Sequence, residues 1–211
     1  GVFLEHNPEG LTMVATDGRR LSYITRHLEE IINPFQSAII PAKFLSLLKK
    51  SGTGEGTLSL AVTESIVFAR IGDQFMYCAL IKGQFPNYRR VIPATQTNIC
   101  RLSISDMLEA LKRVSLLVEN KAKRMYLDID AGGVTVSSEE SDFGQAKETI
   151  NCDYMGSSCR LAINYSYLMS PLKVMEGQDF LICFTEANRA ITIKPDPEKD
   201  YFHIIMPMQI D

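Results

Sequence analysis

The 211-residue sequence predicts an α+β protein assembled from one repeated unit, a strand followed by a helix and then three strands. Three observations carry this reading. Period-2 and period-3.6 hydrophobic patterns alternate in the same order again and again, at a spacing of about sixty residues. Turn residues fall between the patterns, as in the loop SGTGEG (51–56) and the pair Gly132-Gly133. Hydrophobic residues make up 45 % of the chain, enough to give one large domain or two ordinary ones a core.

Residues 1–26 supply three strands, GVFLE, LTMVAT and RLSYIT, with no helix before them, so the chain is expected to begin in the middle of a copy. The first complete copy runs from SAII through Pro41 into the helix AKFLSLLKK, then strands at 58–62, 66–71 and 75–81. In the second copy RLSI leads to Ser105 as N-cap, with Asp106 and Glu109 in the first turn where the helix dipole favours acids. Met107, Leu108, Leu111, Val114 and Val118 share one face of a helix taken to 123, and strands follow at 125–129, 134–138 and 143–150. The third copy has RLAI, Asn164 as cap, a helix over 164–175 and strands at 180–184, 190–194 and 201–207. Its helix start, Ile163-Asn164-x-x-Tyr167-Leu168, echoes Ile40-Pro41-x-x-Phe44-Leu45, and Pro171 should kink or shorten the helix. Two copies sharing a core make a domain. The Pro- and Thr-containing stretch 88–98 reads as the linker, which divides the chain into 1–90 and 91–211.

Composition narrows the function classes. No apolar run approaches the roughly 20 residues a bilayer demands, so no membrane partner is expected. Five cysteines without a C-x-x-C pair signal neither a disulfide framework nor a zinc ribbon, and a reducing cytoplasm fits them. His6, His27 and His203 show no metal-ligand or triad spacing. No cofactor or metal is implied. The net charge of −3 argues against a uniformly basic surface, yet its distribution is uneven. The three proposed helices hold Lys43, Lys49, Lys50, Lys112, Arg113, Lys121, Lys123 and Lys173 against Asp106, Glu109 and Glu119, a balance of +5 that leaves −8 elsewhere. For one helix, outward lysines are ordinary solvation. Three in equivalent places of a repeat can form a common face that contacts duplex phosphates without reading sequence.

Three motifs in fixed order, ATDGRRLS (15–22), KGQFPNYRRVIP (82–93) and IIMPMQ (204–209), resemble the β subunit of bacterial DNA polymerase III, the sliding-clamp family. The resemblance covers the family's second domain without its first strand and helix, and the whole third domain. It implies the DNA-clamp (processivity) fold, with helices lining the inner face of a two-subunit ring and antiparallel sheets outside. It also implies a non-catalytic subunit that encloses duplex DNA non-specifically and slides, in the bacterial cytoplasm at the nucleoid. Short linear motifs of the polymerase α subunit, clamp loader and repair proteins would dock in a hydrophobic pocket. By matching positions that pocket is lined by Thr16, Gly18, Arg19, Leu21, Pro86, Arg90, Val91, Ile204, Met206, Pro207 and Met208, with Asn164 and Tyr167 at its edge and Asn188 and Ala190 on one wall. Flexible methionines suit a pocket with many partners, while Arg20 and Arg89 point elsewhere. The chain departs from the family pattern at Arg19, where histidine is frequent. Asn188 and Ala190 replace an apolar residue and a serine, and Gln209 stands where arginine is common. The resemblance places part of the pocket upstream of Gly1. It places the ring contact at Leu116, Leu117 and the stretch 144–148, and a fragment lacking the first domain would not close a homodimeric ring. A buried core pair is the competing reading of the two leucines.

Two other classes stay in view. An enzyme could use Glu139, Glu140 and Asp142 as a metal or acid–base cluster, although a charged turn is the usual meaning of such a run. SGTGEG follows a helix and lacks G-K-[ST], so it is a loop and not a phosphate cradle. The other is a peptide-binding module with no DNA role.

Overall fold

The computed structural model describes residues 1–7, 10–27 and 35–210. The chain forms two compact units, one of Gly1–Thr16 with Tyr23–Tyr88, the other of Asp17–Ser22 with Arg89–Asp211. The first contains β1 (Val2–Asn7), β2 (Gly10–Thr16), most of β3 (Arg20–Arg26), β4 (Ala38–Ile40), α1 (Ala42–Ser51), β5 (Leu58–Val62), β6 (Ile66–Ile71) and β7 (Gln74–Ala79). Strands pair antiparallel in the orders β4-β1-β2-β3 and β5-β6-β7. Leu4, Ile40, Phe44, Leu48, Val67 and Ala69 form the core. Phe44 and Leu48 lie four residues apart on one helical face, which is why this short helix docks.

The second unit repeats the plan twice: β8 (Asn98–Ser103), α2 (Ile104–Val114), β9 (Arg124–Asp130), β10 (Gly133–Ser137) and β11 (Lys147–Ile150), then β12 (Cys159–Asn164), α3 (Tyr165–Leu172), β13 (Asp179–Phe184), β14 (Ile191–Asp196) and β15 (Tyr201–Ile205). Each half lends its first strand to the other. β8 pairs with β13, setting Cys100 opposite Ile182, and β12 pairs with β9, setting Leu161 opposite Leu127. The exchange welds the halves around one core, into which alternate residues point: Met125, Leu127 and Ile129 of β9, Phe180, Ile182 and Phe184 of β13. Met107, Leu111 and Val114 of α2 are fully buried in it, and truncating Leu111 to alanine there would cost about 2–5 kcal/mol. Gly133 opens β10 at φ +139°, with Ile150 O only 2.4 Å from where a Cβ would sit, so no larger residue fits.

Several boundaries differ from the sequence reading, for local reasons. The N-cap of α2 is Ser103, not Ser105. Ser103 Oγ accepts the Asp106 N–H at 3.3 Å, and Ile104 already belongs to the helix and is buried. The same helix ends at Val114 instead of 123. A 3-10 turn over Ser115–Leu117 follows, and Val118 is extended. Lys121 and Lys123 therefore sit in the connection to β9, where Lys123 has φ +51°. The α3 helix stops at Leu172, just past Pro171, leaving Lys173 as its C-cap. Residues 141–144 close a tight turn by mutual backbone hydrogen bonds of Ser141 and Gly144, which shortens the last strand of that copy to Lys147–Ile150. The final strand ends at Ile205, before Pro207, which has no N–H to give a ladder.

Candidate functional site

The turn at 17–20 is locked by its own residues. Asp17 Oδ1 accepts the N–H groups of Arg19 (3.0 Å) and Arg20 (3.1 Å), and Asp17 Oδ2 accepts Arg20 Nε at 3.0 Å. Gly18 supplies the left-handed residue at φ +85°. Partial burial pushes the Asp17 carboxyl upward, but the hydrogen bonds from Arg19 and Arg20, with the Arg20 charge, outweigh that and hold it below the ordinary carboxylate range.

The segment after β15 is held at two points within the second unit. Met206 N–H donates to Arg19 O at 2.9 Å, and Met208 N–H donates to Ala162 O at 2.7 Å, two residues before Asn164. Asn164 Oδ1 caps α3 by accepting Ser166 N–H at 3.0 Å. From the turn, the Arg20 guanidinium lies 4.6 Å from the ring centroid of Tyr167, a cation–π contact. The turn, the tail and the start of α3 are thereby tied together, and with them Gly18, Arg19, Leu21, Asn164, Tyr167, Ile204, Met206, Pro207 and Met208. Leu21 and Ile204 are buried, whereas Met206 is 42 % exposed with Pro207 and Met208 half-buried. Besides Asp17, Arg20 thus meets Tyr167, a residue remote in sequence that no local pattern announces.

Arg90 and Val91 are exposed in the 3-10 turn Tyr88–Val91, Val91 at 45 %. Ala190 is half-buried and its carbonyl accepts Gln96 Nε2 at 2.8 Å, while Asn188 is exposed. Thr16 and Pro86 belong to the first unit, where Thr16 ends β2 half-buried and Pro86 is exposed.

Among the basic residues, Lys43, Lys49 and Lys50 are exposed on α1, Lys112 on the last turn of α2, and Lys173 at the end of α3, which packs against α2. Lys121 is exposed and Lys123 half-buried. Arg113 is engaged. Its Nε donates to Glu148 Oε2 and its Nη1 to Glu109 Oε2, both at 2.9 Å, and its Nη2 donates to Glu148 Oε1. These bonds raise the Arg113 pKa and lower that of Glu148. Leu116 is 82 % exposed and Leu117 half-buried, which removes the buried-pair reading for Leu116. Of the suggested acidic cluster, Glu139 is taken by Arg124 (3.0 Å) and by Tyr126 Oη (2.8 Å). Among the described residues no group of three or more His, Cys, Asp or Glu could hold a metal ion, and no helix is long and apolar enough to cross a membrane.

Residues 89–209 match the family described as DNA polymerase III beta subunit, C-terminal domain, and residues 1–87 match its central domain. The chain is similar to the beta sliding clamp of Treponema pallidum, 40 % identical over 215 residues, covering 100 % of this chain and 58 % of that protein. Among solved structures it resembles DNA polymerase III subunit beta from Borrelia burgdorferi in complex with a natural product, at 26 % identity and TM-score 0.92 over 100 % of this chain and 55 % of that one. It also shares the fold of the Pseudomonas aeruginosa sliding clamp bound to griselimycin, at 24 % identity and TM-score 0.93, covering 100 % of this chain and 57 % of the other. The chain thus spans little more than half the length of these relatives. With the two domain matches end to end along it, the chain belongs to the DNA polymerase III beta subunit family.

Proposed function

We propose that this chain is part of a DNA sliding clamp, a non-catalytic processivity subunit that holds the replicative polymerase on duplex DNA by topological enclosure in the bacterial cytoplasm, at the nucleoid. In the full-length protein two subunits close the ring, through Leu116, Leu117 and the stretch 144–148, whereas residues 1–211 alone do not. The lysines on and after the helices touch phosphates loosely. Linear motifs from the polymerase α subunit, the clamp loader and repair proteins bind the site built within the second unit from the 17–20 turn, the 206–208 tail and the start of α3, together with Arg90, Val91, Asn188 and Ala190.

One observation carries the peptide-binding part of this reading: the Met206-Pro207-Met208 tail is pinned at both ends, to Arg19 O and Ala162 O, yet leaves the Met206 side chain exposed. A pinned backbone with a free, deformable apolar side chain is what a many-partner docking site needs. The Borrelia burgdorferi relative, solved with a natural product bound, supports a ligand-taking fold. The test is a polarisation titration with a labelled peptide of the Gln-Leu-x-Leu-Phe type. The intact chain should bind, and Met206→Ala and Arg90→Ala should each weaken binding about tenfold, roughly 1.4 kcal/mol. Binding by none of the three proteins would remove the site assignment.

A further inference from the structure

Away from that site, the four-stranded sheet of the second unit carries a charge on the inner face of its edge. β11 is the outermost strand and, among the described residues, pairs only with β10. Side chains alternate along it, so Glu148 and Ile150 turn one way, with Ala146 just before the strand, while Lys147 and Thr149 turn the other. Ile150 belongs to the core and Ala146 packs against it, which puts Glu148 on the helix-facing side of an open edge, its side chain 28 % exposed. An inward-pointing charge on an edge strand resists cover, because whatever lies over the edge takes that charge away from water.

Here that charge is already met by the chain itself. From the last turn of α2, Arg113 grips both carboxylate oxygens of Glu148 through Nε and Nη2, a two-bond fork, while its Nη1 holds Glu109. The residues before Glu148 are fixed as well: Ser138 N–H donates to Ala146 O at 3.0 Å, Ala146 N–H to Ser138 Oγ at 3.1 Å, and Gln145 Nε2 to Ser138 O at 3.0 Å. Three residues beyond Arg113, the Leu116 side chain stands in solvent. One arginine thus joins the helix end that bears an exposed leucine to the open strand edge. With both partners hydrated, such a fork adds little to folding. Once the edge is covered, it decides whether Glu148 is buried as half of a pair or as a lone charge.

We propose that Arg113 is a positioning residue for ring closure, neutralising Glu148 beforehand so that a second subunit can cover β11 and Leu116. The proposal rests on the reading of Leu116, Leu117 and the stretch 144–148 as the ring contact. It moves Arg113 from a phosphate-facing role to one in assembly, exercised through Glu148 and not by touching the partner.

The experiment measures the subunit dissociation constant of the full-length protein by sedimentation over a concentration series. Arg113→Ala should raise it at least about tenfold, because Glu148 is then buried without its partner. In a Glu148→Gln background no charge remains to neutralise, and adding Arg113→Ala should change the constant by less than about threefold. Thermal unfolding of the 211-residue chain should be nearly the same with and without Arg113→Ala. Leu116→Asp separates this inference from the reading beneath it. If Leu116→Asp leaves the dimer intact, the ring contact itself is misplaced and the proposal falls with it. If Leu116→Asp splits the dimer while Arg113→Ala does not weaken it, the ring contact stands and the role of Arg113 is overturned. Equal losses from Arg113→Ala with and without Glu148→Gln, or a large loss of stability in the 211-residue chain, would also overturn it.

Discussion

His203 is the residue whose environment and chemistry disagree most. It lies on β15, one residue before Ile204, with Nδ1 2.9 Å from Ser22 Oγ and Nε2 buried without a hydrogen-bond partner. Burial lowers its pKa to about 4. An imidazole that ionises near 6.5 in the unfolded chain and near 4 in the folded one takes up protons preferentially on unfolding between those values. Its contribution to stability is intact above about pH 6.5 and is lost as pH falls through 4, a difference of roughly 3 kcal/mol. Urea unfolding of wild type and His203→Gln at pH 7 and at pH 4.5 tests this. Wild type should lose more stability over that interval than the variant, and parallel losses would show that His203 is not the titrating group. In the sequence this histidine was one of three scattered ones. Its burial comes from a strand whose neighbours are chosen by topology, so nothing local foretold it. Gly18 was legible, because Asp-Gly between two alternating runs names a turn from its own chemistry. The contact of Arg20 with Tyr167 was not, since the residues meet only after the second unit folds.

At the scale of elements, hydrophobic period was a sound guide to the existence of each helix and strand and a poor guide to where they stop. The repeat was plain in the chain, and its first strands begin at residues 38, 98 and 159. The α2 helix shows why ends are harder: Leu116, Leu117 and Val118 prolong the apolar pattern, but Leu116 is turned to solvent and Val118 is extended. Ser115 ends the helix instead, its Oγ donating to Lys112 O at 2.8 Å and so competing with the next backbone donor. At the other end two serines compete as cap, and geometry decides for Ser103. Ser103→Ala should therefore cost about 1 kcal/mol in denaturant unfolding, and Ser105→Ala clearly less. The reverse ranking would place the cap where the sequence pattern first put it. The pairing of β8 with β13 and β12 with β9 lay beyond any local pattern. It depends on which buried faces can cover one another, and only the whole unit settles that.

Across the whole molecule the charge pattern gives the sharpest division between a DNA role and mere solvation. Counted over the observed helices, five basic residues stand against two acidic ones, +3, which leaves −6 for the rest of a chain whose net charge is −3. The cations gather at helix C-termini: Lys49 and Lys50, then Lys112 and Arg113, with Lys173 as a C-cap. A helix dipole alone favours such placement by about 0.3–1 kcal/mol each, so position does not by itself imply a phosphate partner. The two explanations part in their response to salt. A lysine serving only the dipole leaves duplex affinity untouched, whereas each one that displaces a counterion from DNA adds roughly 0.9 to the slope of log affinity against log salt concentration. Replacing Lys50, Lys112 and Lys173 with alanine should flatten that slope by up to about 3 in a titration of the full-length clamp with a short duplex. Arg113→Ala should change it little, since Glu109 and Glu148 already hold that guanidinium. The peptide titration should be unaffected by the lysine changes. An unaltered slope in the triple variant would leave the lysines as helix-terminal and solvating charges and would move any DNA contact to other surfaces. A slope reduced equally by Arg113→Ala would mean that its ion pairs open when DNA is present.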